Sequence, residues 1–437
     1  MASAVWPGPF PPAGEGFRAE RVAQLSDDCF AFGGGLLPLD AALRIIASDV
    51  RPVEGVDRVA LSAADGRVLA ENVAASVDLP PFDNSAVDGY AVRLADLDRA
   101  AILPVAGRIA AGAPAGNALA PGTTWRIFTG AALPAGADTV FMQEDVRLDG
   151  QGQVRFPAGL RPGANTRQRG EDIASGACAL PAGRRLRPQD LALAAALGVQ
   201  HLTVRAPVRV ALFSTGNELV EPGAVAGPAQ RYDSNRVLLA SLAGRAGSRV
   251  TDFGILPDRQ PGIAAALRSA ARNHDLILTS GGVSTGEEDH VRAAVEAVGR
   301  LVFWRLAIKP GRPVAMGSVA GVPFMGLPGN PVAAFVTFVR IARPLIAALS
   351  GAPAQPQIGF PVQAAFGYRK KAGRREYVRV RLLPGPNGAL QAHKHPVEGA
   401  GILTSLTETE GLAELTEPAT AVVPGDIIEF LPYESLL

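Results

Sequence analysis

From Arg209 to Leu306 the chain alternates short apolar runs with segments of helical period, and this alternation constrains the fold more than any other feature. Arg209-Val-Ala-Leu-Phe213, Ser248 to Phe253, Leu276-Ile-Leu278 and Val302 to Leu306 read as strands. Asn235 to Ala243, the series Ile263, Leu267, Ala270, Ala271, and Val291 to Val298 read as the helices between them. Strands separated by helices of about ten residues predict a multidomain α/β protein built on a doubly wound parallel sheet. In such folds ligands bind beyond the carboxyl ends of the strands. The residues at those ends are therefore where chemistry is expected.

The run at 276–278 opens into Thr279-Ser-Gly-Gly-Val-Ser-Thr-Gly-Glu-Glu-Asp289. Amides exposed at Gly281 and Gly282, with the Ser280 and Ser284 hydroxyls, suit a phosphate or another oxyanion. Acids so close to an oxyanion loop make sense when a divalent cation lies between them. A tight turn with solvating acids uses the same residues. The first strand ends in Ser214-Thr-Gly-Asn-Glu218, and Asp233-Ser-Asn-Arg236 and Ile255-Leu-Pro-Asp258 end further segments. Each alone fits helix capping; their agreement with strand ends favours a shared site.

After the strand at 302–306 comes Ala307-Ile-Lys-Pro-Gly-Arg-Pro313. Two prolines and a glycine restrict this loop, while Lys309, Arg312 and the nearby Arg305 offer positive charge to a phosphate or tetrahedral oxyanion. Nearly every cation here is arginine, and the lysines are Lys309, Lys370, Lys371 and Lys394, so a lysine in so constrained a loop stands out. Gly326-Leu-Pro-Gly-Asn-Pro331 is a second rigid loop, a wall of the same pocket. Asn330 reads as the N-cap of the next helix, with Pro331 in its first turn.

Composition removes several function classes. A chain of 437 residues exceeds one ordinary core. A net charge of +1 argues against a nucleic-acid binder. Cys29 and Cys178 alone argue against a disulfide framework or a thiolate metal site. The start, Met1-Ala-Ser-Ala-Val-Trp-Pro-Gly-Pro, has no basic region followed by an apolar core, so no secretory signal is expected. Pro331 to Leu349 carries Arg340, Arg343 and Pro344 and reads as a buried helix, not a membrane span. A cytoplasmic protein with no membrane partner is expected. Five histidines and no Ser-His-Asp or Cys-His arrangement disfavour zinc and covalent catalysis, and favour metal-assisted displacement at phosphorus.

Four regions are expected. Residues 1–35, rich in Pro and Gly, form a flexible extension. Residues 36–206 form an N-terminal region with a helix carrying Leu39, Ala42, Leu43 and Ile46, a second helix near Ala63 to Val73, and a β-rich insertion at about 76–176. That insertion holds strands at Pro104-Val-Ala-Gly107, Trp125-Arg-Ile-Phe128 and Thr139-Val-Phe-Met142. Residues 207–351 carry the α/β pattern, and 357–437 form a small β-barrel or sandwich. In the last, Tyr377 to Leu382 alternates with Val378, Val380 and Leu382 on one face, and hairpin-type turns fall at 384–388 and 423–430.

Two acidic segments lie outside the parallel domain: Phe82-Asp-Asn-Ser-Ala-Val-Asp-Gly-Tyr-Ala-Val92 and Arg169-Gly-Glu-Asp172. With Phe213-Ser-Thr-Gly-Asn-Glu218, Ser280-Gly-Gly-Val-Ser284 and Gly326-Leu-Pro-Gly-Asn-Pro331, they resemble the MoeA family, molybdopterin molybdenumtransferases related to the gephyrin E domain. The resemblance runs in order from about Leu37 to the C-terminus. It implies an elongated homodimer whose active site lies between the parallel domain of one subunit and the β-rich N-terminal domain of the other. It also implies the reaction: adenylylated molybdopterin and molybdate give molybdenum cofactor and AMP, with Mg²⁺. The dithiolene belongs to the pterin, which accounts for the scarcity of cysteine.

Carried over by position, the resemblance implies that Asp88 and Asp172 act across the subunit boundary, with Glu218, Asp258 and Asp289 from the parallel domain. Asp258 and Asp289 are the expected metal ligands, and Arg305 and Lys309 match cationic positions. Thr215, Gly216, Ser280, Gly281, Gly282, Ser284, Arg312, Pro328 and Pro331 are expected on the substrates, and Arg374 and Ser405 match residues that handle molybdate. Many relatives have lysine where this chain has Arg305 and Arg312. Partners implied are a molybdopterin adenylyltransferase and molybdoenzyme-maturation proteins. An adenylyltransferase or nucleotide pyrophosphatase, and a non-enzymatic cofactor scaffold, stand as alternatives. The two N-terminal acidic segments favour the transferase, since a lone adenylyltransferase domain has no need of them.

Overall fold

The computed structural model describes residues 36–436 except 115, 284–289, 354–356 and 387, with the side chains of 303 and 304 also left aside. The expected extension at 1–35, and Ser284 and Asp289, lie outside the described residues. The chain forms two compact units, one running from Glu54 to Ala206 and the other made of the segments before and after it.

The larger unit contains α1 (Leu39–Asp49), β1 (Arg209–Thr215), α2 (Ser234–Arg245), β2 (Arg249–Leu256), α3 (Gln260–Ala271), β3 (Leu276–Ser280), α4 (His290–Val298), β4 (Gly299–Arg305), β5 (Pro313–Val319), β6 (Val322–Leu327), α5 (Pro331–Thr337) and α6 (Arg343–Leu349). Its sheet has the order β2-β1-β3-β6-β5-β4. The first four strands are parallel, while β5 is antiparallel to both β6 and β4. All strands except β5 therefore share a direction, and their carboxyl ends share one rim. The order reverses between β1 and β3, which makes that point of the rim the crevice of a doubly wound sheet. The β5–β6 hairpin is absent from the sequence reading. Its turn is Ala320-Gly321, with φ of 49° and 84°, as a tight two-residue hairpin requires.

Both faces of the sheet are covered, which is why its strands read as continuous apolar runs. Val210, Leu212, Leu276 and Leu278 pack against α1, α2 and the helices after β6. Ala211, Phe213 and Ile277 pack against α3 and α4. Each fully buried Leu or Phe contributes about 1.5–3 kcal/mol to this core. Because Leu39, Ala42 and Ile46 sit in it, α1 belongs to this unit and not with the residues that follow it. Pro331 to Leu349 is helical throughout, with a π-helical turn at Phe338–Ala342 just before Pro344. Pro344 has no amide to give to the carbonyl of Arg340, and the wider turn absorbs that loss. This segment is long and apolar enough to cross a membrane, yet 78% of it is buried within the protein.

The last part of the unit is a barrel. Arg375–Pro384 pairs with both Leu390–Lys394 and Gly411–Leu415, closing a ring completed by Phe360–Ala364 and Ile427–Pro432. Val378 and Val380 fill it and Leu382 packs against them, as their alternation predicts. The turn at 384–388 joins two paired strands. The turn after Val422 does not: Ala421–Val422 pairs with Tyr368–Arg369, and Ile427–Pro432 pairs with Phe360–Ala364. Two residues beyond Leu306, Ile308 and Lys309 join the barrel by pairing with Arg375 and Glu376.

In the unit from Glu54 to Ala206, Val56–Ala60 pairs antiparallel with His201–Arg205, so the chain enters and leaves through one ribbon. The expected strands near 104, 125 and 139 fall in a six-stranded sheet. The expected helix at Ala63 to Val73 is not formed. A 3₁₀ turn at Leu61–Ala63 is followed by Gly66 at φ 71°, and Val68 and Leu69 then bridge to Arg185 and Val204. A left-handed glycine ends helical progress there, and cross-chain pairing overrides the local apolar period.

Residues 54–206 expressed alone should fold, because their two ends are already paired. A single cooperative urea transition by circular dichroism is expected; a featureless, non-cooperative slope would contradict the assignment.

Candidate active site

At the crevice between β1 and β3, α2 starts from Asp233, whose side chain caps the Arg236 amide at 3.1 Å. Asn235, in the first turn, donates from Nδ2 to Ser280 Oγ at 2.8 Å and to the Gly329 carbonyl at 2.9 Å. The helix thereby clamps the end of β3 to the loop after β6. Beneath it lies a cleft of about 210 Å³ whose walls include Thr215, Glu218, Asn235, Ser280, Gly281, Asn330 and Pro331. Gly281 and Gly282 have φ of 84° and 64°. A methyl group on Gly281 would lie 2.6 Å from the Thr215 carbonyl oxygen, and one on Gly282 would lie 2.2 Å from Val291 Cγ2. Glycine is the residue that lets this turn cross the end of β1.

The Thr215 hydroxyl and Asn235 Oδ1, both at this cleft, are buried without a hydrogen-bond partner among the described residues. The hydroxyls of Ser214 in β1 and Thr279 in β3 are in the same condition. Each such group costs about 1–3 kcal/mol until something bonds to it. A polar ligand with donors and acceptors recovers that energy at Thr215 and Asn235.

A second cleft, of about 550 Å³, lies between the 307–313 loop and the barrel. Its walls carry Lys309, Arg312, Arg374, Arg379 and Lys394. Behind them is Glu376, only 1% exposed. It accepts from the Tyr368 hydroxyl at 2.8 Å and from Arg374 Nε at 2.7 Å, and lies 3.3 Å from Lys309 Nζ. Lys309 Nζ also donates to the Tyr368 oxygen at 3.0 Å. Burial alone pushes the Glu376 carboxyl up; the hydrogen bonds from Tyr368 and Arg374 and the Lys309 charge outweigh it and hold the group below the usual glutamate range. Burial works against the Lys309 ammonium too, and Tyr368 and Glu376 more than compensate, so its pKa is raised.

Arg379 is 8% exposed and donates to Ser405 Oγ at 3.0 Å and the Gly399 carbonyl at 3.1 Å. Burial lowers its pKa below the ordinary arginine value, from a level high enough that the guanidinium keeps its charge. Lys394 is ion-paired with Glu398. The exposed Arg312 guanidinium makes no hydrogen bond or ion pair among the described residues. Cations face the cleft; of the nearby acids, Glu398 is on the wall and paired with Lys394, while Glu376 is buried out of it. That arrangement suits a small oxyanion.

The structure thus gathers Thr215, Glu218, Ser280, Gly281 and Pro331 at the first cleft, and Lys309, Arg312, Arg374 and Pro328 at the second. Gly216 lies under the Glu218 carboxylate, which is ion-paired with Arg231 at 2.7 Å. Asp258, at the end of β2, donates from its amide to Asn217 Oδ1 at 3.3 Å on the same rim. Arg305 lines neither cleft. Ser405 is fully buried with its hydroxyl spent on Arg379 and on the Ile402 carbonyl, so it positions a cleft residue and is not itself on the wall. Asp88 and Asp172 belong to the other unit. Asp88 Oδ1 accepts from the Thr129 amide and hydroxyl, both at 2.8 Å, and these bonds hold the carboxyl below the usual range. Asp172 is exposed.

Among the described residues no group of three or more His, Cys, Asp or Glu side chains has the arrangement to hold a metal ion. The sequence reading names Asn235 only within the segment Asp233 to Arg236, and misses Tyr368, Glu376, Arg379 and Lys394 as site residues. Of these last four, Lys394 alone carries a signal, the rarity of lysine.

Comparison with known proteins agrees with this architecture along the chain. Residues 37–198 match the MoeA N-terminal region (domain I and II), 211–348 a probable molybdopterin binding domain, and 361–433 the MoeA C-terminal region (domain IV). A molybdopterin molybdenumtransferase of Haemophilus influenzae is 37% identical over 378 residues, 86% of this chain and 94% of the relative. One from a Nostoc species is 35% identical over 377 residues, 84% and 86% of the two chains. The crystal structure of the molybdopterin biosynthesis MoeA protein of Pyrococcus horikoshii superposes with a TM-score of 0.77 at 29% identity, covering 91% of this chain and all of that one (100%). With three consecutive family regions matched in order and relatives aligned over most of its length, the chain belongs to the MoeA family.

Proposed function

We propose that this chain is a transferase of molybdenum cofactor biosynthesis that inserts molybdate into adenylylated molybdopterin and releases AMP. One observation carries the reading: two clefts of different chemistry meet at the Pro328–Pro331 loop. One offers unpaired hydroxyl and amide groups beside a glycine turn, suited to a pterin and its phosphate. The other offers cations on restricted walls, suited to a tetrahedral oxyanion. The names of the Haemophilus and Nostoc relatives support the same activity.

In this reading Thr215, Ser280 and Gly281 hold the pterin phosphate side. Lys309, Arg312, Arg374 and Arg379 hold molybdate, with Lys309 kept charged and in place by Tyr368 and Glu376. Asp258 sits at the rim where phosphate oxygens arrive, and carboxylate with phosphate oxygens is a donor set that fits Mg²⁺. Asp258 and Asp289 would hold the ion, and its charge would favour departure of AMP. Asp88 and Asp172 act from a second subunit of a homodimer, which matches their place in a separately folded unit with Asp88 pinned as a carboxylate by Thr129. The protein works in the cytoplasm, receiving its substrate from an adenylyltransferase and delivering product to molybdoenzyme-maturation proteins.

Mixing the purified protein with adenylylated molybdopterin, Mg²⁺ and molybdate should release AMP and yield active cofactor. Tight pterin binding without AMP release would instead support a scaffold. Lys309→Ala should raise the molybdate concentration for half-maximal rate at least about tenfold, the loss expected for one hydrogen bond to a charged group, with pterin affinity unchanged. An unchanged molybdate dependence would remove Lys309 from the oxyanion site. Finally, Asp88→Ala and Lys309→Ala proteins, each inactive at low molybdate, should restore activity when mixed and allowed to exchange subunits. Absence of any recovery, with exchange verified by mass, would exclude a site shared between subunits.

A further inference from the structure

Asn330 occupies the N-cap position of α5, and the sequence reading assigns its side chain to capping. In the structure its side chain makes no cap hydrogen bond. Pro331 has no amide to offer, and the Val332 amide donates to the Ala400 carbonyl at 3.0 Å instead. The Asn330 side chain is exposed and makes no hydrogen bond among the described residues. It is also common to the walls of both clefts. On one side stand Lys309 and Arg379, on the other Thr215 and Ser280.

We infer that Asn330 is the handover residue between the two clefts, contacting the oxyanion as it passes from the cationic cleft to the pterin. The inference rests on the function proposed above and assigns it one more positioning residue. A carboxamide fits this place for a chemical reason. Its NH₂ donates to an oxyanion and its carbonyl accepts from a pterin N–H, and it adds no charge to repel the anion. Asp has nearly the same shape and caps helices equally well, yet it presents a negative charge to an arriving anion. Pro331 beside it and the buried Pro328 two residues before restrict the backbone that carries it.

The test compares full-length wild type, Asn330→Ala and Asn330→Asp. Wild-type AMP release is the control, and its absence sinks the proposed function itself. Given that release, Asn330→Ala should slow turnover roughly tenfold, as for loss of one hydrogen bond to a charged group. Molybdate alone and adenylylated molybdopterin alone, each titrated into the same variant, should bind within about threefold of wild type, because each cleft keeps its own groups. Asn330→Asp should slow turnover further and raise the molybdate requirement. Melting temperatures of both variants should match wild type, since no cap bond is lost. Wild-type turnover in both variants would overturn the inference. So would a capping pattern, in which Asn330→Ala melts early and Asn330→Asp restores both stability and turnover.

Discussion

The site depends on the chain changing sheets between Arg305 and Lys309. Having finished β4, the backbone crosses through Leu306 and pairs Ile308 and Lys309 with Arg375 and Glu376 of the barrel. The loop closes on itself through the Leu306 amide and the Arg312 carbonyl at 2.9 Å, returning the chain to β5. One loop thus belongs to two sheets, and Lys309 is fixed against the barrel by backbone pairing before its side chain makes any contact. Arg375, alternating with Glu376, reinforces the junction through Asp40, Glu414 and Glu417.

A buried carboxylate completes the device. Burying Glu376 without partners would cost several kcal/mol, and the Tyr368, Arg374 and Lys309 contacts offset that cost. Its folded pKa lies below the ordinary 4.5. Its partners therefore stabilise the fold fully above that value, and the contribution is lost as pH falls through the lower folded pKa. Across neutral pH Glu376 therefore stays a carboxylate and Lys309 an ammonium. Three cleft residues, Lys309, Arg374 and Tyr368, share this one acceptor, so their positions are coupled. The cleft can attract an anion without exposing Glu376 to it.

Much of this was legible in the sequence wherever burial was symmetrical or composition unusual. β1 and β3 are covered on both faces and read as unbroken apolar runs. Lys309 stood out against arginine. The β5–β6 hairpin did not, because Ala320-Gly321 is a weak turn signal between mixed residues. Arg379 was invisible for a related reason. In Tyr377-Val-Arg-Val-Arg it looks like the solvated face of a strand, and only packing of residues 399–405 over it makes it a buried wall. Ser405 is expected on the substrate, and order along the chain does not reveal that its hydroxyl also bonds Arg379 and the Ile402 carbonyl. The helix expected at 63–73 failed because pairing to Arg185 and Val204, more than 100 residues away, decides that segment.

The central claim is that the two substrates meet from separate clefts, with the oxyanion held on the Lys309 side. Soaking crystals of the protein with tungstate and recording anomalous scattering at the tungsten edge tests it directly. The account predicts a single strong peak among Lys309, Arg374 and Arg379. A peak at Thr215 and Ser280 instead, or none under conditions where wild-type protein turns over, would contradict it.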